Sequence, residues 1–423
     1  MKILIASVGA AGHLNPLLGA AGILSRLHEV AVQTSDEYRP KVEAAGFRFI
    51  YEMPGAKTFA GTFIAEHPEY QTLPPGKEST SWALQNYFAA KLPILAASLQ
   101  RALDEFPADV ILADSTYFGT LPMLLGPRSK RPAIVHLGIS VLNVGSGKNV
   151  PRRPGISDEE LQIEREDRER IMLQPVQAAF NRALNELGLD PMPCPVLEAM
   201  SLLPDLYIHP GVESFEYPDS SSAVRYIGRL PIPAGQAPLP QWWDKLDRTK
   251  RLVLVTQGTI ANQDLGQLIG PTLTGLAAEK DLIVLATTGD RPIEAIPVAI
   301  PANARVAEFL PFEQILPHID LLITNGGYGT VNLALANGIP MVTAGMTEDK
   351  EEVSAHVEWA GVGIDLRTNQ ADPESVRRAA REVLDSSDYR IRAQARAREF
   401  ANCNPEESLL SLIESCVGET VST

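Results

Sequence analysis

The chain has 423 residues, 45% of them hydrophobic and 21% charged, which is enough for two sizeable globular cores. A formal net charge of −15 argues against a nucleic-acid backbone or an anionic membrane as the main partner. Cys194, Cys403 and Cys416 are odd in number and lack metal-site spacing, so they read as reduced thiols of a cytoplasmic protein.

Residues 1–27 open with one lysine followed by apolar and small residues, a composition shared with signal peptides. His13, Asn15 and Pro16 interrupt that run, and a second strand follows at once, so a buried strand plus helix is expected. In chain order the first half then gives a strand over 2–7, a helix over 16–27, a strand over 30–33 and a helix near 37–45. A strand over 47–51, a helix over 80–105 and strands over 110–113 and 133–137 complete it. Residues 230–249 are proline-rich and read as a linker. Beyond them the alternation restarts, with a strand over 252–257, a helix over 264–278 and strands over 282–286 and 305–309. Strands over 321–324 and 340–343 follow, each with a helix.

The expected fold is therefore α/β, with two doubly wound parallel-sheet domains facing across a cleft. The domains are expected at 1–229 and 250–400, with a C-terminal helix at 401–423 packing back on the first. Two irregular stretches, 52–82 and 138–175, are candidate pocket walls or simply exposed loops. The first carries Phe59, Phe63, Tyr70 and Trp82. Arg377, Arg378, Arg381, Arg390, Arg392, Arg396 and Arg398 are interspersed with acids and read as a solvated helix face. No later segment reaches the ~18 uninterrupted apolar residues of a membrane span.

Two segments carry chemistry. At Asn325-Gly326-Gly327-Tyr328-Gly329-Thr330 an apolar run meets three glycines and a helix-compatible stretch. Free amides and a positive dipole end suit a phosphate or diphosphate there, and a tight strand-to-helix turn without ligand fits the residues equally well. The other is Val8-Gly9-Ala10-Ala11-Gly12-His13-Leu14-Asn15-Pro16, directly after the first strand. It lacks the second glycine of a dinucleotide fingerprint, so a nicotinamide cofactor is not expected. Asn15 is placed to cap the next helix and Pro16 to fill its first turn. His13 then lies at a strand's carboxyl end beside a helix N-terminus, where the dipole favours neutral imidazole, a proton acceptor. Such a base needs an orienting carboxylate, and Asp114 ends a strand at the same sheet edge. A purely structural histidine remains open on these residues alone.

Taken in order, these pieces resemble the UDP-glycosyltransferase superfamily, nearest its bacterial macrolide-glycosyltransferase-like branch. The resemblance rests on Gly12 to Pro16, Ala113-Asp114, Gln257-Gly258-Thr259, Phe309-Leu310-Pro311, Asn325 to Thr330 and Thr347-Glu348-Asp349-Lys350. It implies the two-domain GT-B architecture and an inverting, metal-independent transfer of a hexose. The donor would be UDP-glucose or a thymidine diphosphate sugar, used as co-substrate with no further cofactor. The acceptor would be a small hydrophobic phenolic, flavonoid or macrolide. His13 would be the base and Asp114 its orienter. Gly12, Gly258, Thr259, Asn325, Gly327, Tyr328, Gly329 and Thr330 would hold the donor, the last three through amides on the diphosphate. Phe309 would stack on the nucleobase, Leu310 would read its edge through its backbone, and Asp349 and Lys350 would meet sugar hydroxyls.

The chain departs from the pattern at four places. Asn325 replaces a histidine, Phe312 a glutamine, Lys350 a glutamine, and Leu333 (beside Asn332) an acid that binds ribose hydroxyls. A deoxyribose donor tolerates the last change. No Asp-x-Asp occurs, and His28, His67, His136, His209, His318 and His356 show no ligand spacing, so no metal site is expected. A nucleotide-sugar epimerase or hydrolase on the same architecture, and a non-catalytic nucleotide-sugar-binding homologue, are the alternatives.

Overall fold

The computed structural model describes residues 1–57, 63, 65–142, 154–218, 223–231, 238–259 and 262–418. The chain divides into two units. One comprises Met1–Pro151, Ile156–Pro233 and Cys403–Thr423, and the other Ala234–Asn402 with Arg152–Gly155.

In the first unit β1 (Lys2–Ala6), β2 (Glu29–Thr34), β3 (Arg48–Tyr51), β4 (Val110–Asp114), β5 (Ala133–Leu137), β6 (Leu206–His209) and β7 (Val224–Tyr226) form a parallel sheet. Their order is β3-β2-β1-β4-β5-β6-β7. Both faces are covered, which is why the strands read as continuous apolar runs. Ile3 and Ile5 pack with Leu14 and Leu17 of α1 (Ala11–Leu24) on one face. Leu4 and Ala6 pack with Leu95 and Leu99 of α2 (Ala90–Glu105) on the other. The C-terminal helix Pro405–Gly418 adds Leu409 and Ile413 to the first of these cores.

The second unit repeats the plan with β8 (Arg251–Thr256), β9 (Leu282–Thr287), β10 (Ala304–Ala307), β11 (Leu321–Thr324), β12 (Met341–Thr343) and β13 (Gly363–Asp365), ordered β10-β9-β8-β11-β12-β13. In each sheet the order reverses beside the first strand, between β1 and β4 and between β8 and β11. Open parallel sheets bind ligands at the carboxyl ends of strands flanking such a reversal.

Several elements differ from the sequence expectation. Helix α1 begins at Ala11, so Asn15 and Pro16 lie inside it and Asn15 caps nothing. Pro16 removes only the bond to the Gly12 carbonyl, and Gly12 is exposed to water. The span 80–105 is three pieces, Lys77–Ala83, a π-helical turn Leu84–Ala89, and α2. Pro93 lacks the amide that would close on Ala89, and the π turn widens the backbone at that step. The helix expected over 264–278 shrinks to Ile269–Gly275, because Asp264 folds a turn onto the Gly266 amide ahead of it. Strands β6, β7 and β13, of three or four residues each, were not expected from the sequence.

The two irregular stretches also hold more structure than expected. Phe59 and 143–153 lie outside the described residues. Phe63, His67, Tyr70, Trp82 and Tyr87 pack in tilted and edge-to-face pairs with ring centroids 4.6–6.0 Å apart. Helix Asp158–Arg168 starts on a Ser157–Glu160 capping box. Of the proline-rich stretch, 232–237 are undescribed, and Trp243 is buried against His318 within the second unit. No helix among the described residues is long and apolar enough to cross a membrane.

Candidate active site

The β1–β4 pairing aligns Ala6 with Ala113, so the segments leaving both strands run side by side. Asp114 ends β4 and is wholly buried. Its Oδ2 accepts the Val8 amide at 2.6 Å, and its Oδ1 accepts the Thr116 amide at 2.8 Å and the Thr116 hydroxyl at 2.7 Å. His13 occupies the first turn of α1, with its Nδ1 3.5 Å from Asp114 Oδ1 and 3.2 Å from Thr116 Oγ1. The imidazole keeps 23% of its side-chain surface exposed.

Burial by itself raises the Asp114 carboxyl. The hydrogen bond and charge of His13, the Val8 amide and Thr116 together outweigh it and hold the group below its usual range. The site therefore presents an ionised, fully desolvated carboxylate behind a partly exposed imidazole, the arrangement of an oriented general base. Thr116 was not singled out in the sequence. Its signal is the Asp-x-Thr spacing, which lets an aspartate accept the amide two residues on.

In the second unit Gln257, Gly258 and Thr259 leave β8, and Asn325, Gly326 and Gly327 lead from β11 into α3 (Tyr328–Ala336). Asn325 is nearly buried and donates its side-chain amide to the Gln257 carbonyl at 2.6 Å, tying the two loops together. Gln257 Oε1 accepts the Leu268 and Ile269 amides, anchoring the first loop. Gly258 and Gly326 have φ of +69° and +83°, conformations that favour glycine. A β-carbon at Gly326 would also meet Ser354 Oγ at 2.6 Å. Gly12 and Gly329 differ, since neither has a positive φ and the space where a β-carbon would sit is open.

No acidic residue occupies the first turn of α3, so its positive end is uncompensated there. The Thr330 amide closes on the Gly327 carbonyl at 3.0 Å, leaving its hydroxyl as the group it offers. Phe309 lies beyond β10 with 48% of its surface exposed, whereas Leu310 and Leu333 are buried. Asp349 precedes α4 (Lys350–Trp359) and is partly exposed. Lys350 is buried and ion-paired with Glu348, itself in a left-handed backbone conformation at φ 51°. The Lys350 charge is thus compensated within the chain, a role for Glu348 that sequence reading missed. Among the described residues no cluster of His, Cys, Asp or Glu is arranged to hold a metal ion.

Residues 272–414 match a family model described as "Erythromycin biosynthesis protein CIII-like, C-terminal domain". Over nearly its whole length the chain is similar to 4'-demethylrebeccamycin synthase of Lentzea aerocolonigenes, at 35% identity covering 98% of this chain and 99% of that protein. It is 32% identical to UDP-glycosyltransferase 2 of Phaeomoniella chlamydospora, over 97% of this chain and 95% of the relative. Among solved structures, the spinosyn rhamnosyltransferase SpnG superposes with a TM-score of 0.69 at 18% identity, covering 98% of this chain and 100% of that one. That protein has also been solved with thymidine diphosphate and with spinosyn aglycone.

Proposed function

The chain belongs to the UDP-glycosyltransferase superfamily, in its macrolide-glycosyltransferase-like branch, and as a glycosyltransferase of natural products we propose that it moves a hexose from a nucleoside diphosphate sugar to a hydroxyl of a small hydrophobic acceptor with inversion. The observation that carries this reading is the partly exposed His13 imidazole set 3.5 Å from the wholly buried Asp114 carboxylate at the sheet's reversal point.

In the proposed reaction the acceptor's O–H bond breaks and its proton passes to His13. The freed oxygen bonds to the anomeric carbon as the bond from that carbon to the diphosphate oxygen breaks, and its electron pair leaves with the diphosphate. General-base assistance of this kind contributes about 10²–10⁴-fold. The leaving charge is taken by the positive end of α3, with Gly329, the Thr330 hydroxyl and Thr259 beside it. Open space beside Gly12 and Gly329 leaves room for a ligand to approach the backbone there. The exposed Phe309 ring offers a face for the nucleobase.

Support for a small aglycone as acceptor comes from the relative named for rebeccamycin synthesis and from the SpnG complex with spinosyn aglycone. The donor is a uridine or thymidine diphosphate sugar. Leu333 cannot hydrogen-bond a ribose hydroxyl, and one such bond is worth about 0.5–1.5 kcal/mol, so the two nucleotides should bind within about tenfold of each other. The test is mass-spectrometric detection of glycoside when the protein meets UDP-glucose or its thymidine analogue and a panel of phenolic and aliphatic alcohols. Release of hexose without glycoside, or epimerisation of the donor, would overturn the transferase reading. A preference of about a hundredfold for the uridine donor would overturn the role given to Leu333.

A further inference from the structure

Thr116 stands between the two members of the dyad. Its hydroxyl oxygen is 2.7 Å from Asp114 Oδ1 and 3.2 Å from His13 Nδ1, while those two atoms are 3.5 Å from each other. The hydroxyl is thus closer to each partner than the partners are to one another.

The direction of these bonds follows from what each group can do. An ionised carboxylate only accepts, whereas a hydroxyl has one proton and two lone pairs. Asp114 already takes two backbone amides, so the Thr116 proton points to Oδ1 and a Thr116 lone pair faces the imidazole. That lone pair is satisfied by hydrogen on Nδ1, which leaves the lone pair of the neutral ring on Nε2. The side chain is held in place by its own amide on Asp114 Oδ1, by the Tyr117 amide closing on the Asp114 carbonyl, and by the buried rings of Tyr117 and Phe118 that follow.

We propose that Thr116 is a positioning residue for the His13 base, a hydroxyl bridge that transmits the Asp114 charge to the imidazole and fixes the tautomer whose Nε2 accepts the acceptor's proton. This rests on His13 being the base. During transfer the proton arrives at Nε2, Nδ1 keeps its hydrogen, and the Thr116 proton does not leave its oxygen. The imidazolium that forms is stabilised through one intervening hydroxyl. Removing that hydroxyl leaves Nδ1 facing Asp114 Oδ1 at the longer 3.5 Å, which weakens the hold on one tautomer.

The test combines nitrogen-15 histidine spectra with turnover on an aliphatic alcohol acceptor, for wild type, T116V and T116S. In the wild type His13 should show the neutral form with hydrogen on Nδ1. T116V, which keeps the side-chain shape, should populate the other tautomer and lose about tenfold in kcat, the weight of one hydrogen bond. Its donor KM should stay within about threefold, since the donor is held elsewhere. T116S should restore both readouts. If T116V does not fold, T116A is read in the same way. An H13A variant separates the two levels of the account. Wild-type turnover in H13A would remove the base itself, whereas an inactive H13A with T116V unchanged in tautomer and rate would overturn the Thr116 assignment alone.

Discussion

Among the described residues Asp114 is ion-paired only with His13, whose imidazole is charged only when protonated, yet it is fully buried. Three protein donors of hydrogen bonds make that burial tolerable, since an ionised carboxylate without them would cost several kcal/mol. This sets the order of effects expected on mutation. H13A should lower turnover on an aliphatic alcohol by about 10²–10⁴ with donor affinity within a few fold. D114N should show a smaller kinetic defect, because the ring is misoriented rather than absent, together with a lower melting temperature. Turnover of H13A at the wild-type rate would contradict the base assignment. A strongly acidic phenol ionises itself and would hide the defect, hence the alcohol. His13 and Asp114 were legible because a strand end, a glycine and a helix start bracket each chemistry-bearing side chain. Thr116 and Glu348 were not, since a hydroxyl bridge and an intrachain partner for Lys350 depend on side-chain geometry that spacing does not encode.

Among the elements, the turn from β11 into α3 separates two reasons for glycine. Gly326 is required by its φ of +83° and by Ser354, whereas Gly329 lies in the helix with open space beside it. Gly326→Ala should therefore destabilise the second unit by about 1–3 kcal/mol. Gly329→Ala should leave stability unchanged or raise it by up to about 1 kcal/mol while raising the donor KM. Urea unfolding with donor kinetics reads both, and an unchanged KM in Gly329→Ala would count against a donor at this helix end. Strand positions were the most legible elements, because strands covered on both faces read as unbroken apolar runs: 133–137 and 321–324 fall where expected. Helix starts were the least legible. Asn15 and Pro16 look like a cap and a first turn, yet α1 starts at Ala11, since a proline there forfeits only one bond. The arginine-rich helices Pro373–Asp385 and Ser387–Ala401 were expected to be merely solvated. Arg381 instead pairs with Glu279 and Asp281, and Arg390 with Asp320.

At the scale of the whole molecule, the two sheets share one strand order apart from a seventh strand in the first, and each has loops carrying candidate site residues where that order reverses. The α/β alternation made this repeated plan legible, although the sequences of the two halves show no repeat. Stability carries its own signature. His136 on β5 is fully buried, and burial pushes its imidazole down to about 4. An unfolded histidine titrates near 6.5, so between those values the unfolded chain binds a proton that the folded one does not. Stability is therefore lost as pH falls from about 6.5 to 4, by on the order of 3 kcal/mol from this group. Urea unfolding of the first unit should show H136Q less stable than wild type at pH 7.5, with the gap narrowing at acid pH. A gap independent of pH would contradict the assignment. The central claim is that an oriented imidazole delivers an acceptor oxygen to the anomeric carbon in a single displacement. Its most direct test is the anomeric configuration of the glycoside, read by proton coupling constants, from an α-linked nucleotide glucose donor. The account predicts a β-glycoside, and an α-glycoside would contradict it.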